Sequence, residues 1–416
     1  MLFVIFEIVE DNFSNIKLFL SIFFITISLA SYTQVNVDST NYSLKNGISK
    51  PSILSTNTFG IFFSRLNHNF KLKPSKKTEI DIVLESGNVW GANVKTYLPD
   101  SETIRNKLRT VNWYSRQFLF DEDTLKGKNY SIKTDGTIKG LRANITLPIH
   151  NQQELVLGFR SFILTEGKFP LSIFTNDAFI EFFHNNIAGG NDPFDRKVFG
   201  YNRAEVNYTD RNGNNLKLNK GSFVFGGIEA HYFYYPKLLN NRNVFINFGA
   251  HLGTNLSQYN SSIDLGLSAA AVKKLTLNST NQFLFGIGLN TIHKNSVEFK
   301  KNNIEFGTNN FIASLETDIE YNFTSKGKTN HAFGLAFYLQ TSLNNKDEFN
   351  YAILVRDESA YNSWQHASKH LYQNNNYWTF MYTFTRKIAT SFYLQQDFTV
   401  NNNPDIQTGV GIKFGL

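Results

Sequence analysis

The feature that most constrains this chain is a period of two. From Val244, the apolar residues Val244, Ile246, Phe248, Ala250 and Leu252 interleave with Phe245, Asn247, Gly249, His251 and Gly253. The pattern recurs from Ile263 (Ile263, Leu265, Leu267, Ala269, Ala271), from Phe283 (Phe283, Phe285, Ile287, Leu289), from Phe333 (Phe333, Leu335, Phe337, Leu339) and from Trp378 (Trp378, Phe380, Tyr382, Phe384). Side chains alternate faces along a strand, so each segment carries one apolar and one polar face. Each is long enough for a tilted transmembrane strand of about 9–11 residues.

A soluble sandwich also alternates. Two features point instead to a barrel in a membrane. The interleaved set is rich in Gly, Ser, Asn and Asp, which suits a wet or closely packed lumen. The connections also alternate short (71–77, 149–153, 236–242, 274–279, 324–330, 386–389) and long (89–135, 165–220, 293–310, 345–375), as outer-membrane barrels do. The expected class is an all-β, transmembrane, antiparallel up-and-down β-barrel of 12–14 strands, with a short helix in a long external loop.

Candidate strands cover 58–70, 78–88, 136–147, 154–164, 222–235, 243–253, 262–273, 281–292, 311–323, 331–344, 376–386, 388–398 and 406–416. That count is odd, whereas bacterial single-chain barrels are even. Either 34–57 holds a further strand, giving the favoured fourteen, or 58–70 lies outside the wall, giving twelve. Alternatively, 34–57 threads the lumen as a plug. The barrel is expected over 58–416.

The C-terminus reads GVGIKFGL, with Val410, Ile412, Phe414 and Leu416 alternating and Gly411 five before the end. It resembles the closing strand by which outer-membrane barrels engage the barrel-assembly machinery. That strand usually ends on Phe, so Leu416 is a departure, as is Gly409 where a polar residue is common. Exposed in a soluble protein, such an edge would invite strand pairing.

Composition agrees. Aromatics are 15% of the chain (Phe 40, Tyr 19, Trp 4) while the mean hydropathy is only −0.28. Without cysteine, thiol catalysis, disulfides and a lipoprotein anchor are excluded. The +7 charge is scattered and forms no nucleic-acid patch.

Residues 17–34, KLFLSIFFITISLASYTQ, read as a secretory signal peptide cleaved after residue 33, with Ser31 and Thr33 as the small residues. Upstream, Glu7, Glu10 and Asp11 stand where positive charge is expected, which suggests a true start near residue 16. Removing 1–33 takes away those acids and Lys17 and moves the net charge from +7 to +9. The expected location is the Gram-negative outer membrane.

Within 165–220, Asn176 or Asp177 can cap a helix, and Phe179, Phe182, Phe183 and Ile187 share one helical face. That face is expected to close the barrel mouth as a lid. The segment FIEFFHNNIAGGNDPFDR resembles a motif in a domain-of-unknown-function family of Gram-negative outer-membrane barrels. The resemblance centres on 174–202, with weaker support from 136–164 and 222–235. It implies location and fold, and no chemistry.

Glu181 and His184 stand three apart, as in a metal-binding Glu-x-x-His, but no second such motif completes a site, so no metal or cofactor is expected. No G-x-S-x-G motif marks a nucleophile, and His231 and His251 fall on the lumen set. The lumen charges say more. Alternation turns Arg142 and Arg160 inward as cross-strand neighbours. Glu316, Asp318 and Glu320 turn inward about half a barrel away, joined by Asp264 and Glu229. Arginines facing acids across a lumen would set up a transverse field that selects solutes by charge; the same charges could instead pair across a filled lumen. The leading expectation is passage or binding of a small solute, gated by loop 165–220. The alternatives are a non-conducting structural or surface-interaction barrel and a membrane-embedded lipid hydrolase. Outer-membrane lipid is the expected surrounding partner.

Overall fold

The computed structural model describes residues 43–53, 57–97, 112–113, 116–117, 129–168, 172–188, 201–210, 212–300, 303–326, 328–343, 345, 375–396 and 406–416. The signal segment 1–33 and the glycines after the loop helix lie outside them.

Twelve antiparallel strands close into one barrel. They are β1 (Glu79–Tyr97), β2 (Asn129–His150), β3 (Gln153–Thr165), β4 (Phe223–Tyr234), β5 (Val244–Leu256), β6 (Ser261–Thr276), β7 (Asn281–Glu298), β8 (Phe311–Thr324), β9 (Asn330–Gln340), β10 (Asn375–Thr385), β11 (Ile388–Gln396) and β12 (Ile406–Gly415). Neighbours in sequence pair, and β12 pairs with β1 to close the ring. Closure sets Phe414 opposite Ile80 and Gly411 opposite Val83, and Leu416 N–H donates to Thr78 O at 2.9 Å.

The count is twelve, not the favoured fourteen, because 58–70 is not a wall strand. Thr58–Phe62 forms a 3-10 turn capped by the Asn57 side chain, and the chain after it runs extended without pairing into the sheet. β1 and β2 are also longer than expected and pair through Tyr97 and Asn129, so 89–135 is not all loop. The loop after β3 carries a small hairpin, Glu205–Thr209 with Asn215–Asn219, that pairs onto β2.

The alternation holds on both faces. Leu265, Leu267, Ile287, Leu289, Phe311, Phe333, Phe380 and Phe392 point outward and are exposed. So continuous an apolar exterior is tolerated in lipid and not in water. Among the described residues no helix is long and apolar enough to cross a membrane.

Candidate functional site

The lumen is filled by the chain's own residues 43–53 and 57–78. From the end of the barrel that carries the short turns, 43–53 enter along β8. The 3-10 turn reaches the end that carries the long loops, and 63–78 return to β1. The interior it crosses is charged, so its backbone and lysines find partners throughout. Lys45 Nζ lies 2.5 Å from Glu320, whose other oxygen accepts from Ser49 N–H at 2.7 Å. Lys50 pairs with Glu316. Ser64 N–H donates to Asp264 at 2.8 Å, and Asn290 donates to Leu66 O at 3.1 Å. Lys71 lies 3.2 Å from Glu154, which also accepts from Ser75 N–H at 2.9 Å. The guanidinium of Arg65 stacks on Tyr338, 5.0 Å from the ring centre.

Arg142 and Arg160 are cross-strand partners and point inward. Their counter-charges are not the acids of β8. Arg160 Nε meets Glu229 at 3.0 Å, and Arg142 lies 3.8 Å from Glu229 and 3.5 Å from Glu85. Arg160 also donates to Ile61 O at 2.9 Å and to Asn255. Of the row Glu316, Asp318, Glu320, the two glutamates pair with Lys50 and Lys45, while Asp318 between them is buried and neither of its oxygens accepts a hydrogen bond from the described residues. The expected transverse field is therefore largely replaced by local pairs: Glu85 and Glu229 on neighbouring strands quench the arginines, and an internal segment quenches Glu316 and Glu320. Asp264 accepts from Ser64 N–H, Asn255 and Asn295 N–H and faces no arginine directly.

At the long-loop end the filling turns apolar. Phe59, Phe62 and Phe63 pack with Phe306, Tyr208, Leu216, Leu218 and Phe162 in one buried cluster. Phe62 and Phe306 stack at 4.9 Å. The apex of the segment, the loop hairpin and residues 304–306 thus cap the lumen. Toward the short-turn end, cavities of about 140 and 100 Å³ remain, sharing Lys50, His68, Asn69, Lys71, Asp81 and Lys413 in their linings.

The loop helix, α1 (Asp177–Phe183), is capped by Asn176, whose side chain accepts from Phe179 N–H at 2.8 Å, and it runs on into a wider turn, His184–Ala188. It does not close the mouth. Its anchor is the outside of the wall. Ser86, Asn88 and Thr137 sit on the outward face, one position off inward Glu85 and Val89 of β1 and Ile138 of β2. Ser86 bonds Thr175 Oγ1 at 2.7 Å, Asn88 donates to Thr175 O and to Asp177, and Thr137 donates to Thr175 O. Polar groups at the rim of an otherwise apolar wall thus hold the loop there. Asp177, Ile180 and Glu181 are the buried face of the helix, while Phe182 and Ile187 are exposed and Phe179, Phe183 and His184 half-buried. The expected lid is instead a shelf whose acidic side faces protein and whose aromatic side faces away.

Three Ser–His contacts bear on hydrolysis. Ser268 lies 2.7 Å from His251, whose Nδ1 meets His231 Nδ1 at 2.9 Å, and His231 lies 3.7 Å from Glu229. This chain is inside the lumen beneath the plug, away from lipid. Ser314 and His68 meet at 3.3 Å, also inside. Ser296 and His293 are near the rim, but Ser296 donates to the His293 carbonyl and the pair closes a bulge of β7 around Asn295. Among the described residues no cluster of three or more His, Asp or Glu is arranged to hold a metal.

Glu85, Glu154, Lys45, Lys50, Arg65 and His68 are lumen residues that alternation did not single out. The first two lie on the inward set of their strands and could have been found there. Lys45 and Lys50 precede the wall and carry no periodic signal, whereas Arg65 and His68 fall in 58–70, whose alternation suggests a wall strand although it runs inside the lumen.

No protein-family model and no curated protein matches this chain. Among solved structures, an outer-membrane channel from Pseudomonas putida F1 aligns at 12% identity over 92% of this chain and 100% of that one, with a TM-score of 0.35. The NanC porin aligns at 7% identity over 81% of this chain and 100% of that one (TM-score 0.34). LpxR from Salmonella typhimurium aligns at 6% over 81% and 100% (TM-score 0.36). Similarities this distant carry neither activity nor substrate from one barrel to another.

Proposed function

We propose that this protein is an outer-membrane β-barrel that conducts no solute in its resting state and acts at its outer surface. The short-turn end would face the periplasm and the long-loop end the exterior, with β12 engaging the assembly machinery. The observation that carries this reading is the pairing of Lys45 and Lys50, on the internal segment, with Glu320 and Glu316 of the wall. A charge-selective pore needs wall charges that mobile ions can reach. Here Glu316 and Glu320 are already paired with lysines of the internal segment, and the apolar cluster plugs the lumen at one end.

Planar-bilayer recording of the purified full chain tests this. No steady conductance is expected. A stable open channel in the intact protein, with ion selectivity altered by Arg142→Ala, would restore solute passage as the function. Removal of a signal peptide near residue 33 belongs to the same reading and is checked by the N-terminus of the membrane-extracted protein.

A further inference from the structure

The loop shelf does more than lie on the wall. Ile173 and Phe174 overhang the outward faces of β10–β12 and create a groove of about 530 Å³ lined chiefly by Ile173, Phe174, Phe380, Phe392, Leu394 and Val410. That volume is within the range of about 300–1,000 Å³ typical of small-molecule sites. Here protein stands on two sides. Ile173 is 66% exposed and Phe182 53%, so the overhang itself is built to be wetted by hydrocarbon.

Charge lies at the other end of the same loop. Lys168 and Lys220 flank Glu166 at 3.4 and 2.8 Å, and outward Lys139 of β2 donates to Lys168 O. Hydrogen bonding by Lys220, helped by Lys168, holds the Glu166 carboxyl below the usual carboxylate range, so it stays ionised. Three lysines against one carboxylate leave a positive rim, and Lys139 lies opposite Ser86 of β1, itself opposite Thr408 in the lining of the apolar groove.

We propose that this groove seats an acyl chain of a phosphorylated glycolipid of the outer leaflet, with phosphate held near Lys139, Lys168 and Lys220. The occupant follows from two features together: an almost wholly apolar two-sided slot open to the bilayer, and a cationic rim on the leaflet that faces outward. A neutral lipid would use only the first. The proposal rests on the outer-membrane orientation above but not on the lumen being closed.

The test is native mass spectrometry of the full chain, extracted in mild detergent from membranes containing both glycolipid and phospholipid. A retained glycolipid mass is expected on the unmodified protein. It should be lost in Val410→Trp, which fills the groove, and in the double variant Ile173→Asp/Phe174→Asp, whose exposed positions leave the barrel intact. Leu267→Trp, on another part of the wall, should keep it. Lys168→Ala/Lys220→Ala should reduce it. Heat-dependent gel mobility confirms folding of each variant. Four results would each overturn the proposal: no lipid mass on the folded protein, phospholipid retained in preference, a second copy of the chain instead of lipid, or equal loss in Leu267→Trp. A conducting protein that still keeps the glycolipid would overturn only the closed-lumen reading.

Discussion

Two segments of this chain belong to neither strand nor turn, and they lie on opposite sides of one wall. Residues 43–53 and 57–78 fill the inside; residues 172–188 lie along the outside. Both present polar groups to the wall: lysines and backbone N–H inside, Thr175 and Asp177 outside. They differ in what becomes of their large apolar residues. Phe59, Phe62 and Phe63 are buried against Phe306 and Tyr208. Ile173, Phe174, Phe182 and Ile187 remain exposed. The same residue types thus seal a lumen on one side and meet lipid on the other. Which they do is decided by the face of the wall that offers matching polar partners.

The largest expected effect is on the inside. Arg160→Leu removes the nearest counter-charge of buried Glu229, leaving Arg142 at 3.8 Å, and removes the bonds to Ile61 O and Asn255. Breaking a buried pair from one side costs about 3–5 kcal/mol, to be read as a lower urea midpoint for unfolding from lipid vesicles. If that midpoint does not move, the inner pairing is not structural. Phe62→Ala opens the apolar cap at a cost of about 3 kcal/mol, near the low end for buried Phe. It should also give an impermeant thiol reagent added outside access to a cysteine placed at Leu66.

Lys45→Met is milder, about 2 kcal/mol, because Glu320 keeps Ser49 N–H and Asn322. Its sign is protease cleavage within 43–53 from the short-turn end. The smallest effect is outside. Ser86→Ala removes one hydrogen bond to Thr175, about 1 kcal/mol, and should speed cleavage of the 166–188 loop without changing the unfolding midpoint. If Ser86→Ala destabilised the whole barrel as much as Arg160→Leu, the two sides would not be separable as described.

What the sequence made legible follows the same division. Every wall strand was visible because a strand between lipid and lumen must alternate, and Leu265, Ile287 and Phe380 are exposed as their parity requires. The inward placement of Arg142, Arg160, Glu229, Asp264, Glu316, Asp318 and Glu320 was legible for the same reason. Their partners were not. Lys45, Lys50 and Lys71 sit in a segment without period, and KLKPSKK reads locally as a turn while Lys71 reaches Glu154. Residues 58–70 alternate enough to resemble a strand, yet Asn57 caps a 3-10 turn there. The helix was legible from Asn176 and the Phe spacing. Its side of the wall was not, because Ser86, Asn88 and Thr137 show their meaning only once register puts them together on the outer face.

The central claim is that 43–53 and 57–78 occupy the lumen. Since the chain has no cysteine, a single cysteine at Ser64, which bonds Asp264 through its backbone, reports on it directly. In folded protein in lipid vesicles this thiol should resist an impermeant maleimide from either side and react only after unfolding. Rapid labelling in the folded state, at the rate of a cysteine placed at exposed Asn212, would show the lumen to be open and contradict the account.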